Sequence, residues 1–217
     1  MEENEIVYEI LQEKDLEPTI NCLVDVFPNA EPMSRALGVT PSEFYPFAKI
    51  ICQKAVAEGL SHIAKDSVTS KVAGFIISEH LSNESEEEIH KYIPQKFEVF
   101  SQVLKELHEQ YEMEKKLVNS KIFHLFFLGA REEYRGRKIA NKLVENNLKM
   151  AAQAGFSKGI VEASGKISQH ICRKYGFEDR VSLDYQTYEH KGIKVFEEIK
   201  EHQSCILMEK ALIMDNG

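Results

Sequence analysis

Apolar residues recur along this chain at two spacings, every second position and every third to fourth, and the changes between them mark out its elements. Residues 6–11, apolar and β-branched, read as a first strand. Leu16, Ile20, Leu23, Val24 and Phe27 then recur at helical spacing, which predicts a helix over 15–27 broken by Pro28-Asn29-Ala30-Glu31-Pro32. Pro41 suits the first turn of a second helix running to Gly59, with Thr40 as its cap. Residues 60–65 and 72–78 read as two strands joined at the polar turn Asp66-Ser67, and 82–88 as a solvated charge run. Phe97, Phe100, Val103, Leu104, Leu107 and Tyr111 predict a long amphipathic helix. The apolar run 122–129 suits a buried strand, 135–154 a helix, 159–163 a strand and 168–175 a short helix stopped by Gly176. Strands over 181–188 and 205–210 close the series. Without a repeat or a linker, the pattern implies one α+β (α/β) domain over residues 1–217, a mixed sheet of about seven strands flanked by helices.

Composition narrows the classes. A chain of 217 residues, 43% hydrophobic and 29% charged, can bury a full core. The net charge of -8 argues against nucleic acid as a partner, since phosphate binding needs a basic surface, and is compatible with a cationic small molecule. No apolar run reaches the roughly 18 residues of a membrane span. The N-terminal residues are acidic where a signal peptide is basic, so the cytosol is the expected compartment and no membrane partner is expected. Cys22, Cys52, Cys172 and Cys205 are scattered and read as free thiols. No His-Glu-x-x-His or Cys/His ligand set is present, so no metal is expected, and no Gly-x-Ser-x-Gly elbow marks a serine hydrolase.

The segment Leu128-Gly129-Ala130-Arg131-Glu132-Glu133-Tyr134-Arg135-Gly136-Arg137-Lys138-Ile139-Ala140-Asn141 joins the apolar strand to the helix after it. A loop of small and basic residues feeding a helix N-terminus is an anion site, because unpaired N–H groups and the helix dipole both favour phosphate. Gly136 and Ala140 leave room for a pyrophosphate, and Arg135, Arg137 and Lys138 add positive charge. On these residue types alone, a basic helix start at the surface is an equal reading. The segment is neither a P-loop nor a dinucleotide fingerprint, since both glycine spacings are missing.

Leu-x-small-x-x-x-Tyr-Arg-Gly-x-x-Ile-Ala resembles the CoA-binding motif of the GNAT superfamily of N-acetyltransferases, whose core is Gln/Arg-x-x-Gly-x-Gly/Ala. Arg135 and Ala140 match the first and last of those positions. Lys138 stands where the middle glycine is usual; a lysine there can hold helical geometry and still donate its backbone N–H. Lys174-Tyr175-Gly176-Phe177 downstream is similar to the family as well. Three further stretches resemble the insect-type arylalkylamine N-acetyltransferase branch: Phe27-Pro28-Asn29-Ala30-Glu31-Pro32-Met33, the serines Ser164 and Ser168, and the tail from Asp184-Tyr185 through His202 to Met208-Glu209-Lys210. The resemblance implies acetyl-CoA as co-substrate, held by Leu128, Gly129, Ala130, Arg135, Gly136, Arg137, Lys138, Ile139, Ala140 and Asn141. It implies a primary amine as acceptor, a small arylalkylamine or a polyamine.

An alkylamine with a pKa of about 10.4 is protonated at pH 7, so some group must take its proton before it attacks the thioester. Glu31 falls at the branch's catalytic glutamate. His124 is a lone ionisable residue in an apolar strand, about where other GNAT branches place a base, and an imidazole pKa near 6.5 suits that work. Either of them, or water, is the base. By resemblance Ser164 and Ser168 handle substrate and protons; as residue types they are equally helix caps. Cys172 occupies the position where many GNAT enzymes carry a tyrosine acid, which leaves water or Ser168 to protonate the thiolate. His202 lines the amine pocket by resemblance or lies on the surface. The pantetheine arm is expected to pair as a strand along residues 128–130, whose N–H groups stabilise the developing oxyanion. Residues 33–59 and 82–120 are expected to wall the pocket. Two other readings stay open: an N-acetyltransferase of proteins or peptides, and an acyl-CoA-binding protein without turnover, which Lys138 and Cys172 favour.

Overall fold

The computed structural model describes residues 4–81, 96–114 and 121–212; the charge run at 82–88 and part of the expected wall at 82–120 lie outside them. β1 (Ile6–Ile10), β2 (His62–Asp66), β3 (Val72–His80) and β4 (Ile122–Ala130) pair antiparallel in sequence order. β5 (Lys158–Ala163) then runs parallel to β4, and β7 (Ser204–Ala211) lies between β5 and β6 (Glu178–Asp184). The result is the mixed sheet that the sequence predicts, seven strands in the order β1-β2-β3-β4-β5-β7-β6. Among the described residues no helix is long and apolar enough to cross a membrane.

Helices cover both faces. α1 (Leu16–Ala30), α2 (Pro32–Ala36), α3 (Pro41–Glu58) and α4 (Phe97–Glu114) precede β4; α5 (Ile139–Gln153) crosses from β4 to β5, and α6 (Lys166–Lys174) follows β5. One core joins α1, α3 and α4 through Leu23, Phe44, Phe47, Phe97 and Phe127; the other joins α5 and α6 through Leu143, Val144, Ile171 and Cys172. In the first, Phe44 stacks on Phe27 at 5.4 Å and on Phe97 at 5.5 Å between ring centres, and Phe27 meets Phe127 edge-on at 4.6 Å. These rings fix α1 and α3 against β4, which carries Phe127. All four cysteines are buried free thiols.

Of the boundaries that differ from the periodicity, three have a clear local cause. α1 runs through Pro28 to Ala30. Pro28 gives up its own N–H, but the next turn is still closed by the Glu31 N–H on Phe27 O at 2.9 Å. Pro32 is what ends the helix, because the residue before a proline is pushed out of the helical region, and Glu31 is extended at φ -77°, ψ 126°. β6 stops at Asp184 rather than at 188, since the Asp184 carboxylate accepts from the N–H groups of Gln186 at 2.8 Å and Thr187 at 3.3 Å and turns the chain. The helix expected from residue 135 begins at Ile139, because Gly136 (φ 83°) and Lys138 (φ 56°, ψ 27°) both sit in the left-handed region. Lys138 therefore does not hold helical geometry. It adopts the conformation for which a glycine would be chosen.

Pairing between β4 and β5 is confined to Ile122↔Lys158, Phe123↔Gly159 and His124↔Ile160. Past that rung β4 continues to Ala130 and β5 to Ala163 with no rung between them, so the two strands form a fork. A bulge sits on the β4 arm: Ile77 faces Phe127 and Ser78 faces Leu125, leaving Phe126 without an opposite residue. The extra residue reverses the alternation, so Leu125 packs in the α5 core and Phe127 in the aromatic one.

Two stability measurements follow. Phe44→Ala is expected to lower unfolding free energy by about 3–5 kcal/mol in urea denaturation, the range for deleting a fully buried ring. Lys138→Gly is expected to keep or raise stability by up to about 1 kcal/mol, and Lys138→Val to lower it by about 1–2 kcal/mol, in thermal unfolding.

Candidate functional site

The loop after β4 is built from the sheet outward. The Arg131 N–H donates to Ala73 O at 2.8 Å, extending the β3 pairing by one residue, and a short 3-10 turn spans Glu132–Tyr134. The start of α5 sits directly on β3: a methyl group added at Gly74 would lie 2.7 Å from Ile139 Cγ2 and 2.9 Å from Gly129 O. Gly74 thus lets the helix N-terminus approach the sheet. Lys138, the residue ahead of α5, makes no side-chain cap bond, which leaves the first-turn N–H groups of Ile139, Ala140 and Asn141 to water or to an anion.

The basic residues around this turn are not equivalent. Arg137 donates to Asn4 O and lies over the Tyr134 ring at 5.6 Å, so its charge is tied to the protein's own surface. Arg135 is 79% exposed and pairs with Glu132 at 2.8 Å, a contact that solvent makes weak. Lys174, from α6, donates to Asn141 Oδ1 at 2.9 Å and brings a further cation to the same turn. An uncapped helix start, two left-handed residues and adjacent cations fit a pyrophosphate. Leu128 and Ala130 pack toward α5, and Gly129 lies under Phe75 and Val26, where a methyl group would meet them at 2.6 and 3.0 Å.

α1 reaches across the fork. Val26 touches the β4 arm at Gly129, and Glu31, just past the helix end, meets the β5 side at Ser164. Glu31 is buried, 6% exposed, and serves as N-cap of α2. Its carboxylate accepts from the N–H of Met33 at 3.0 Å, from the N–H of Ser34 at 2.5 Å and from the Ser34 hydroxyl at 2.6 Å, with the Ser164 hydroxyl in contact. Burial nevertheless raises its pKa above the usual carboxylate range, the hydrogen bonds opposing that shift. A carboxylate so placed is disposed to accept a proton.

Ser164, Ser168 and His202 come together beside it. The Tyr185 hydroxyl donates to Ser164 O at 2.7 Å, and burial holds that phenol far above its ordinary range, so it stays neutral. The Ser168 hydroxyl donates to Gly165 O at 2.8 Å and accepts the Gly165 N–H at 3.3 Å, capping α6. Pro32 Cγ and His202 Cε1 each lie 3.7 Å from where a side chain at Gly165 would start, ordinary van der Waals spacing that sets α2 and His202 beside the start of α6. His202 Nδ1 accepts the Lys166 N–H at 3.1 Å, which leaves Nε2 to carry the proton of the neutral ring. Its pKa is lowered by burial and by Lys166 and Arg35, against the pull of Glu201. An open cleft of about 300 Å³ between α2, at Pro32, Arg35 and Ala36, and residues 198–202 ends at His202.

His124 does not join this group. It is buried at the vertex of the fork, with Nδ1 3.0 Å from Glu79 Oε1 and Nε2 2.8 Å from Glu162 Oε2. Burial alone would push the ring down, but Glu162 and Glu79 override it and raise its pKa to about 10. Both nitrogens then donate, and no lone pair remains to take a proton. Cys172 is packed in the α5 core, and burial pushes its thiol up to about 12, so it offers no acid in a tyrosine's place. Residue spacing had not singled out Ser34, Gly165, Glu79 or Glu162. Glu162, a lone carboxylate in the short apolar strand 158–163, carries the same sequence signal as His124.

No family model and no curated protein sequence matches the chain. Solved structures do. Arylalkylamine N-acetyltransferase 2 from Aedes aegypti superposes with a TM-score of 0.84 at 22% identity, covering 96% of this chain and 100% of that one. The C-terminal condensation domain of Ebony, in complex with beta-alanyl-dopamine, gives 0.81 at 20% identity over 96% and 99%. Drosophila melanogaster polyamine N-acetyltransferase, which catalyses formation of N-acetylagmatine, gives 0.79 at 18% identity over 96% and 100%. With its forked sheet, its motif loop and its near-complete overlap with these structures, the chain has the GNAT fold in the form found in insect arylalkylamine and polyamine N-acetyltransferases.

Proposed function

We propose that this chain, as one domain, is an acetyl-CoA-dependent N-acetyltransferase that moves an acetyl group to the primary amine of a small arylalkylamine or polyamine. The observation that carries the reading is Glu31: a buried carboxyl of raised pKa, held against Ser164 across the mouth of the fork. The enzymes of similar fold, an arylalkylamine and a polyamine N-acetyltransferase, support the same substrate class.

Bound acetyl-CoA would supply the activated acyl group. The N–H groups of Ile139, Ala140 and Asn141, with Arg135 and Lys174, would hold its pyrophosphate, and the unpaired inner edge of β4 over residues 125–130 would align its arm. Backbone N–H groups on that edge would face the oxygen on which negative charge builds. Glu31 takes the proton from the incoming ammonium, directly or through Ser164 or water, so that the amine attacks in its neutral form. The protein donors around Glu31 hold its two oxygens in place, and His202 with the α2 cleft receives the acceptor's body. The departing thiolate is protonated by water or Ser168, since Cys172 is buried elsewhere.

Release of free CoA in the presence of arylalkylamines, polyamines, amino acids and short peptides tests the reading. Turnover is expected with small amines and not with peptides; tight CoA binding without turnover on any amine would overturn it in favour of a non-catalytic acyl-CoA-binding role. Glu31→Gln is expected to lower turnover by about 10²- to 10⁴-fold with CoA affinity retained. In the unaltered chain, activity should fall as the medium is acidified through a pKa above the usual glutamate value of about 4.3, and Glu31→Gln should abolish that limb of the pH–rate profile.

A further inference from the structure

Five ionisable side chains from five elements form a row at the vertex of the fork, and the proposed reaction uses none of them as acid or base. Lys54 of α3 donates to Glu79 Oε2 at 2.6 Å, and the other Glu79 oxygen faces His124 Nδ1 at 3.0 Å. His124 Nε2 meets Glu162 Oε2 at 2.8 Å, and Glu162 Oε1 meets His108 Nε2 of α4 at 2.7 Å. The side chains of His124 and Glu162 are 6% and 4% exposed. Carboxylates only accept, so a ring flanked by two of them at these distances carries hydrogens on both nitrogens. His124 and Lys54 then oppose the charges of Glu79 and Glu162, with the centre of the row buried and its ends, Lys54 and His108, partly exposed; Lys54 also lies 3.6 Å from Glu58 Oε1.

A buried ionic row is a poor device for stability, since apolar side chains of the same volume do as well or better. What apolar side chains cannot do is hold two backbones at a set distance and angle. His124 lies on the last rung between β4 and β5, and Glu162 lies two residues beyond that rung on the other arm. Their bond crosses the fork where backbone bonding stops. Glu79 ties the same ring to β3, the strand that carries the β4 arm along its length. Glu162 in turn is two residues from Ser164, and His124 four from Leu128, so the row sets the arms that bound the proposed site.

We propose that His124 is a positioning residue, an imidazolium strap between Glu79 and Glu162 that fixes the opening of the β4/β5 fork and so the gap an acyl-CoA arm enters. The reference to acyl-CoA rests on the proposed function; the strap itself does not. Hydrogen exchange on the chain without ligand tests it first. His124→Gln is expected to speed exchange about tenfold over residues 125–130 and 161–164 while the β1 and β2 amides keep their rates. Because that variant leaves two carboxylates buried without their cation, the neutral triple variant His124→Leu, Glu79→Gln, Glu162→Gln is measured beside it, and circular dichroism confirms that each is folded. CoA affinity by calorimetry is expected to fall about tenfold in both, with the amine KM and the acid limb of the pH–rate profile unmoved. Unchanged exchange in both arms would overturn the strap. Loss of the acid limb with CoA affinity intact would overturn it too, making His124 the base. If the unaltered chain bound no CoA, the functional reading would fail, and the exchange experiment would still decide the strap.

Discussion

Past the rung that joins His124 to Ile160, β4 and β5 share no pairing, and most of the chain is arranged around that parting. A sheet that opens in its middle leaves backbone donors and acceptors with nowhere to bond, a state that proteins tolerate only where something else approaches. Each neighbouring element answers to the opening. α1 crosses it, with Val26 on one arm and Glu31 on the other side; α5 starts at the tip of one arm and α6 just beyond the tip of the other. The aromatic cluster around Phe44 presses α1 and α3 onto β4, and so holds Glu31 at the mouth.

Two ionisable groups near the fork show how burial can lead to opposite protonation. Glu31 and His124 are both almost fully enclosed. Glu31 is met only by neutral donors, so the loss of water prevails and its pKa rises. His124 is met by two carboxylates, so attraction prevails over the loss of water and the ring stays charged. The first group is made readier to accept a proton and the second becomes a fixed cation. Residue type alone would have ranked them the other way, because an imidazole is the commoner base.

Lys138 and Cys172 are the two departures from the GNAT pattern, and the structure accommodates them differently. Lys138 takes up the left-handed backbone itself, at some strain, and leaves the α5 start uncapped as a glycine would. Cys172 simply joins the core. The first keeps the uncapped helix start of the proposed anion site; the second leaves the proposed site without an acid from that position.

The sequence by itself determined most of the elements and their succession along the chain, though not the short α2 or the order of strands in the sheet. Periods of two and of three to four, Thr40 before Pro41, and the strand–motif–helix run through residues 128–141 express local rules that need no partner, and they carried the sheet and the likeness to GNAT enzymes. Only the tertiary structure decided which side chains meet. Glu31 is extended because Pro32 follows it, a local fact, but it lies against Ser164 because α1 spans the fork. His124 is a cation because Glu79 and Glu162, 45 and 38 positions away in sequence, come within hydrogen-bonding distance of its ring. Hydrophobic period records which face of an element is buried, and it holds no record of which charges a neighbouring strand sets beside that face.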